Sequence, residues 1–200
     1  MKTLGITGNI GSGKTTVSKI LESEGAYVIN ADLVAREVLE VTGAGYDEAV
    51  GFFGEAILTA NGEIDRAKLA EIVFADPEKL AKLNAITHKH VLMRTCELIA
   101  DVKAANAHNI ICLDVPLLFE AGFDKICDTT WTIDAPAEMK ITRAMERDKA
   151  ERSAVKIRLD RQTDSHELRE KSDIVIENDK GFDELREHVM FALSELLREQ

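Results

Sequence analysis

Strands alternating with helices along the chain predict an α/β protein: a doubly wound parallel sheet of about five strands, with a helical insertion and a helical lid. Three observations carry that expectation. Short continuous apolar runs such as Ala26-Tyr27-Val28-Ile29 and Ile110-Ile111-Cys112-Leu113 mark strands buried on both faces. A glycine-rich turn, Gly8-Asn9-Ile10-Gly11-Ser12-Gly13-Lys14-Thr15, separates one such run from a stretch of helical spacing. Between residues 42 and 109 the pattern becomes mostly helical, over a length that exceeds an ordinary crossover between sheet strands.

Taken in order, the first strand is expected over residues 2–7 and a helix over about 14–23, with Val17, Ile20 and Leu21 on one face. Gly25 ends that helix and the second strand follows at once. Asn30-Ala31-Asp32 lies just past its C-terminal end, the edge where open α/β sheets hold ligands. Asp32 has two readings: the N-cap of a helix starting at Leu33, or a carboxylate facing a ligand. In the insertion, Asp65 caps a short helix (Leu69, Ile72, Val73) and Asp76-Pro77 opens a longer one through Leu80, Leu83, Ile86, Leu98 and Val102. His88 and His90, two apart, stand about 200° apart around that helix, a poor arrangement for sharing a metal. The third strand, Ile110–Leu113, ends in Asp114-Val115-Pro116-Leu117-Leu118-Phe119-Glu120, where Pro116 sets a turn. A fourth strand is expected over residues 129–133, then two helices over about 137–147 and 154–161 joined by a polar hinge, then a fifth strand over 174–176. A last amphipathic helix places Phe182, Leu185, Val189, Phe191, Leu193 and Leu196 on the core side. The expected division is a nucleotide-binding core (1–41, 110–137 and 172–200), an insertion (42–109) and a lid (138–171).

Composition narrows the function. With 200 residues, 45% of them apolar, the chain has material for one sizeable core and a small subdomain. A formal net charge of −11 argues against a nucleic-acid or anionic-membrane surface. Residues 138–171 carry ten Lys/Arg against eight Asp/Glu, leaving −13 for the remainder. A locally basic stretch suits a small polyanion, although for most of these residues a solvated helix face is the plainer reading. Cys96, Cys112 and Cys127, odd in number and without a C-x-x-C, read as reduced, mostly buried thiols of a cytoplasmic protein. The first strand begins almost at the N-terminus, leaving no secretory signal, and no apolar run approaches bilayer length. A soluble monomer or weak oligomer acting on small molecules is expected.

The turn Gly8–Thr15 is G-x-x-x-x-G-K-[ST] in its confirming context of strand, turn and helix, the phosphate loop of the P-loop NTPase type. Glycines let the backbone approach a polyanion, successive amides form an anion-binding concavity, and the helix adds its positive end. Lys14 supplies a mobile cation for the β- and γ-phosphates, and the Thr15 hydroxyl is placed to ligand Mg²⁺. Asp114, another carboxylate at a strand end, suits the ordering of a water on Mg²⁺. Asn178-Asp179-Lys180-Gly181 does not fit the N-K-x-D motif of GTPases, and no D-E pair follows an apolar strand as in mechanical ATPases. A small kinase remains, because phosphoryl transfer needs positioning and charge stabilisation, and a closing lid keeps water away.

The sequence closely resembles one family, the dephospho-coenzyme A kinases. The resemblance runs through Gly8–Thr15; Asn30-Ala31-Asp32 with Arg36; Leu83–His88; Pro116–Glu120; Arg143 with Arg147-Asp148; Arg158 with Gln162; and Asp173 through Asn178 to Gly181. It implies transfer of the ATP γ-phosphoryl group to the ribose 3′-hydroxyl of dephospho-coenzyme A. It also implies nucleotide contacts at Gly8, Gly11, Ser12, Gly13, Lys14, Thr15, Thr16, Arg143 and Asn178, with Lys14, Asp32 and Arg143 catalytic. Acceptor contacts are implied at Asp32, Arg36, His88, Pro116, Leu117, Leu118, Glu120 and Arg147, with Asp32 the base or orienter for the hydroxyl. Three positions depart from the family pattern: Asn30 stands for an Asp, Lys89 for a Pro after the His, and Leu168, beside Arg169, for a basic residue. Other small-acceptor kinases, acting on nucleoside monophosphates or shikimate, are the alternative. A regulatory nucleotide-binding module is a third class, against which the retained Lys14, Thr15, Asp32 and Arg143 count.

Overall fold

The computed structural model describes residues 1–198. In chain order, β1 (Lys2–Thr7) and α1 (Lys14–Ser23) flank the glycine-rich turn, and β2 (Tyr27–Asn30) runs directly into α2 (Ala31–Glu37). Helices α3 (Tyr46–Phe53), α4 (Arg66–Phe74) and α5 (Pro77–Ala105) come before β3 (Ile110–Asp114) and β4 (Thr129–Asp134). Then α6 (Ala137–Asp148), α7 (Arg152–Asp160) and α8 (Ser165–Lys171) separate β4 from β5 (Ile174–Glu177), and α9 (Phe182–Arg198) follows. Two compact units form, one of Met1–Ile29 with the chain from Val102 onward, the other of Asn30–Asp101.

The first unit is built on a five-stranded sheet of order β2-β3-β1-β4-β5. Strand β1 pairs in parallel with β3 on one side and β4 on the other, and β4 pairs in parallel with β5. The sheet is therefore doubly wound, and the turn after β1 leaves from its middle, where the strand order reverses. One face is covered by α1 and α9. Val17, Ile20 and Leu21 of the former and Leu185, Val189, Ala192, Leu193 and Leu196 of the latter pack with Leu4, Ile6, Trp131 and Ile133. Phe182 and Phe191 do not join them: Phe191 is 69% exposed, and Ala192 takes the inward position beside Leu193. Of the thiols, Cys112 is buried and Cys127 half-buried, while Cys96 is exposed. Burial pushes the Cys127 thiol up to about 12, which keeps it neutral.

Between β4 and β5 there are three helices, not two. The third, α8, is short and polar, and Asp164 caps it by accepting from the His166 amide at 2.8 Å. Helices α6 and α7 form a hairpin whose small core of Ile141, Ala144 and Val155 also takes in Ile10 from the glycine-rich turn.

The second unit contains α2–α4 and most of α5. Ile57, Leu69 and Val73 form its centre, with Val50, Phe53, Leu80 and Leu83 packed around them. Asp65 caps α4 through the Ala67 and Lys68 amides, and Asp76 accepts from the Glu78 and Lys79 amides at the start of α5, as their sequence positions predict. The cap of α2 is Asn30, whose Oδ1 accepts from the Leu33 amide at 3.1 Å, so Asp32 lies inside the first turn and is not the cap. An Asn in place of Asp leaves this capping intact, since the two residues cap about equally well. Lys89 stands in an unbroken α5. Among the described residues no helix is long and apolar enough to cross a membrane.

These packing differences set measurable stabilities. Leu21→Ala opens a cavity under the sheet and is expected to cost about 2–5 kcal/mol, whereas Phe191→Ala stays within about 0.5 kcal/mol of the parent. Urea unfolding followed by fluorescence of Trp131, the chain's one tryptophan, checks both. A large loss from Phe191→Ala would overturn the placement of α9.

Candidate active site

The glycine-rich turn takes a path that side chains would obstruct, as Gly13 and Gly11 show. Gly13 has φ of 101°, and a Cβ there would run into the Asn178 side-chain amide. Gly11 has φ of 75°, and a Cβ there would meet the Lys140 backbone. The first contact is also a hydrogen bond: Asn178 Nδ2 donates to the Ser12 carbonyl at 2.7 Å. Arg143 of α6 then donates to the Asn178 carbonyl at 3.1 Å and to its Oδ1 at 3.4 Å. Residues far apart in sequence, Ser12–Gly13, Arg143 and Asn178, thus meet through one asparagine after β5.

Lys14 is the first residue of α1, and its ammonium pairs with the carboxylate of Asp114 at the end of β3. Asp114 is 2% exposed, so the contact joins a mobile cation to a buried carboxylate. Thr15 and Thr16 follow in the first turn of α1, with Thr15 exposed. The Ser12 hydroxyl is buried beside Gly8 and has no hydrogen-bond partner among the described residues.

The segment Pro116–Glu120 leaves β3 on the same edge. Thr7 donates its hydroxyl proton to the Pro116 carbonyl at 3.1 Å. Leu118 is fully buried and packs where Gly5 lacks a side chain, so it fastens the segment to the sheet, while Leu117 is exposed. Glu120 accepts a hydrogen bond from Thr163. On the α6–α7 hairpin, Arg147 and Arg158 both grip Asp148, holding its carboxyl well below the usual carboxylate range. The local cation excess of residues 138–171 is therefore largely paired, since Arg152 also meets Glu138 and Lys171 meets Glu167.

Asp32, Arg36 and His88 belong to the second unit. Asp32 and Arg36 sit at the two ends of α2, both exposed, and Arg66 donates to the Arg36 carbonyl at 3.1 Å. His88 is half-buried on α5.

Sequence reasoning missed a group beside the turn: Asn9, Asp134, Lys140, Thr163 and Ser165. Ser165 donates to Asn9 Oδ1 at 3.0 Å and Asn9 Nδ2 donates to the Thr163 carbonyl at 2.9 Å. Gln162 accepts the Ile10 amide proton at 2.8 Å. Lys140 is 3% exposed and reaches Asp134 and Ser165. Burial raises the Asp134 carboxyl, but the hydrogen bonds and charges of Lys140 and Arg169 outweigh it and hold the group below its ordinary value. One signal was available in the sequence, a lysine next to Ile141 on the buried stripe of an amphipathic helix.

A glycine-rich anion cradle at the switch point of a doubly wound sheet, with a lysine at the helix start and an arginine across it, defines a phosphate-loop phosphotransferase. The dephospho-CoA kinase family model matches residues 2–184. The chain is 40% identical over 198 residues to a dephospho-CoA kinase of Thermobifida fusca, covering 99% of this chain and 98% of that one. A solved dephospho-CoA kinase from Campylobacter jejuni superposes with a TM-score of 0.72 at 28% identity, over 97% of this chain and 96% of the other. A shikimate kinase from Acinetobacter baumannii in complex with shikimate reaches a TM-score of 0.53 at 16% identity, over 100% and 95%, a likeness of fold alone. This chain belongs to the dephospho-CoA kinase family.

Asn178→Ala removes the bond to the Ser12 carbonyl and one acceptor of Arg143. A roughly tenfold weaker binding of ATP is expected, the equivalent of one or two hydrogen bonds. Calorimetric titration with ATP checks it, and unchanged affinity would show that the asparagine only fills space against Gly13.

Proposed function

We propose that this protein transfers the γ-phosphoryl group of ATP to the ribose 3′-hydroxyl of dephospho-coenzyme A, giving coenzyme A and ADP. The observation that carries the reading is the glycine-rich turn with Lys14 at the head of α1, in a chain of this family. A new bond forms between the γ-phosphorus and the 3′-oxygen, the bond to the β-phosphate bridging oxygen breaks, and the hydroxyl proton leaves. Such transfer depends on holding the two oxygens in line and on neutralising charge that spreads over the phosphoryl oxygens.

In this reading Gly8–Thr16 hold the phosphates through those amides not already bonded to Asn9, Gly13 or Gln162, and Lys14 leaves Asp114 to meet the β- and γ-phosphates. The unpartnered Ser12 hydroxyl supports it, because a buried polar atom without a partner costs about 1–3 kcal/mol until something satisfies it. Among the described residues Arg143 donates only to neutral oxygens of Asn178, so its charge is available to the transferred group. Mg²⁺ would be held by Thr15 and Asp114, whose hard oxygens suit it, and when bound it supplies further charge neutralisation. Residues 42–109 bind the acceptor and residues 138–171 form the lid, with Arg36, His88, Pro116, Leu117, Leu118, Glu120 and Arg147 contributing to the acceptor side. Asp32 aligns the 3′-hydroxyl and takes its proton late in transfer. The reaction is tested by incubating the protein with ATP, Mg²⁺ and a panel of acceptors that includes dephospho-coenzyme A, nucleoside monophosphates and shikimate. Turnover of another acceptor in preference would overturn it.

Two variants probe the roles. Lys14→Ala is expected to lower turnover by about 10²- to 10³-fold, the scale of losing one preorganised charge on the transferred group. It also removes a partner of a buried carboxylate, so Lys14→Arg, which keeps a cation there, is measured alongside with circular dichroism. Parent-like turnover in folded Lys14→Ala would sink the assignment.

Asp32→Asn separates chemistry from helix stability. Since Asn30 is the cap, the substitution forfeits only the favourable placement of a carboxylate in the first turn, about 0.3–1 kcal/mol. Loss of proton-transfer help is expected to slow turnover by about 10²- to 10⁴-fold. The rate at saturating ATP and dephospho-coenzyme A, set beside the melting temperature, decides. A rate within a few-fold of the parent would move the role to another group.

A further inference from the structure

Asn9 occupies a position that the phosphate-loop motif leaves open, yet its side chain is buried and every polar atom of it is engaged. The engagement leads to Lys140. That ammonium donates to Asp134 Oδ1 at 3.0 Å and to Ser165 Oγ at 2.6 Å; Ser165 donates to Asn9 Oδ1 at 3.0 Å; Asn9 Nδ2 donates to the Thr163 carbonyl at 2.9 Å. The direction of each bond follows from the one before. An ammonium only donates, so Ser165 must accept from Lys140 and send its single proton onward to Asn9 Oδ1. The Asn9 amide is thereby fixed in one of its two orientations, with its nitrogen towards a carbonyl that only accepts. The neighbouring Ile10 amide is held by Gln162, and the Ile10 side chain is packed into the α6–α7 cluster.

We propose that Lys140, Ser165 and Asn9 are positioning residues that set the placement of the phosphate loop, and through it the affinity for the triphosphate. The inference rests on the reading that this loop holds ATP. None of the three touches the reacting atoms. Lys140 anchors the chain to the end of β4, Ser165 passes the constraint across the start of α8, and Asn9 delivers it to the backbone between Gly8 and Gly11. The stretch Gly11–Thr15 that follows meets the phosphates in the ground state and the transition state alike, so its misplacement weakens binding more than it slows chemistry.

Ser165→Ala is the discriminating variant, because it keeps the Lys140–Asp134 pair and removes the hydroxyl that joins Lys140 to Asn9. The Kd and KM for ATP are expected to rise about 5- to 20-fold, the weight of one charge-assisted hydrogen bond, with kcat within about threefold and the KM for dephospho-coenzyme A unchanged. Ser165→Thr, which restores a hydroxyl, should return the KM for ATP towards the parent value. Asn9→Ala should act in the same direction, and the Asn9→Ala/Ser165→Ala double variant should be no worse than the worse single, since both break the same chain. Lys140→Met is expected to combine the same rise in KM with a lower melting temperature; if it does not fold, the Ser165 variants decide. An unchanged affinity for ATP in Ser165→Ala, additive effects in the double variant, or a fall in kcat and melting temperature at constant KM would each overturn the proposal. A parent protein that binds no ATP would defeat the reading of the loop itself, whereas parent-like binding in Ser165→Ala defeats the chain alone.

Discussion

A loop that presents its amides to an anion cannot also use those amides to hold itself in place. Regular structure solves backbone satisfaction with ladders of N–H and C=O groups, but a cradle must leave successive N–H groups pointing into one concavity. In Gly8–Thr15 the Ile10 amide goes to Gln162 and the Ser12 amide to the Asn9 carbonyl, and further support comes from elsewhere in the chain. The Ser12 carbonyl takes Asn178, the Asn9 side chain is clamped by Ser165 and Thr163, and the Ile10 side chain is buried in a neighbouring helical hairpin. These three supports come from the chain beyond β4, so the last third of the sequence braces the turn that follows the first strand. Close contact is what makes this work, and it is why a Cβ at Gly11 or Gly13 has nowhere to go.

Two lysine–carboxylate pairs flank β1, and they are opposites in character. Lys14 meets Asp114 at the end of β3, while Lys140 meets Asp134 at the end of β4. A buried pair contributes little net stability, since desolvation offsets most of the attraction, but removing one partner leaves a strongly unfavourable charge. Asp134 has Arg169 as a second partner, and Lys140 has Ser165, so that pair is saturated and acts as a fixed anchor. Lys14 is the more accessible of the two lysines and lies on the loop itself, which suits a cation that changes partners.

The parts of the fold legible in the sequence were those written locally. The glycine spacing, the apolar strands, and the caps Asp65 and Asp76 each depend on neighbours within a few residues, and β1 and α1 occupy the residues expected of them. Failures came where two local signals competed or where a distant contact decided. Asn30 and Asp32 are both good caps, and the helix starts at Ala31, two residues earlier than a cap at Asp32 would have it. Helix α8 has only seven residues and no apolar stripe, so periodicity is blind to it, although Asp164 with Glu167 three residues on is a capping pattern. Phe191 was assigned inward by its hydrophobicity alone, while the helical register gives that place to Ala192. Of the site, the phosphate loop was readable because its function demands fixed spacing. The clamp on Asn9 was not, because its members lie more than a hundred residues apart and none is chemically unusual alone.

The same distance separates a count of charges from a field. Residues 138–171 hold more cations than anions, which suggests an electropositive surface awaiting a polyanion. In the folded chain most of those charges are committed. Arg169, one position along from the buried Leu168, is turned outward by the helical step and bridges Asp134 and Glu177 at the ends of adjacent strands. Lys140 completes a cluster of two cations and two carboxylates that is neutral as a whole. Arg147 and Arg158 share Asp148. In the proposed reading a triphosphate meets a small set of individually placed groups; among the described residues Arg143 is held by neutral oxygens of Asn178 and Lys14 by the carboxylate of Asp114. Recognition by placed charges is short-ranged and orientation-dependent, in contrast to steering by net charge, which salt screens beyond about 10 Å. A protein of formal charge −11 can bind a polyanion on those terms, because the donors act at contact distance while the repulsive remainder is spread over the surface and screened.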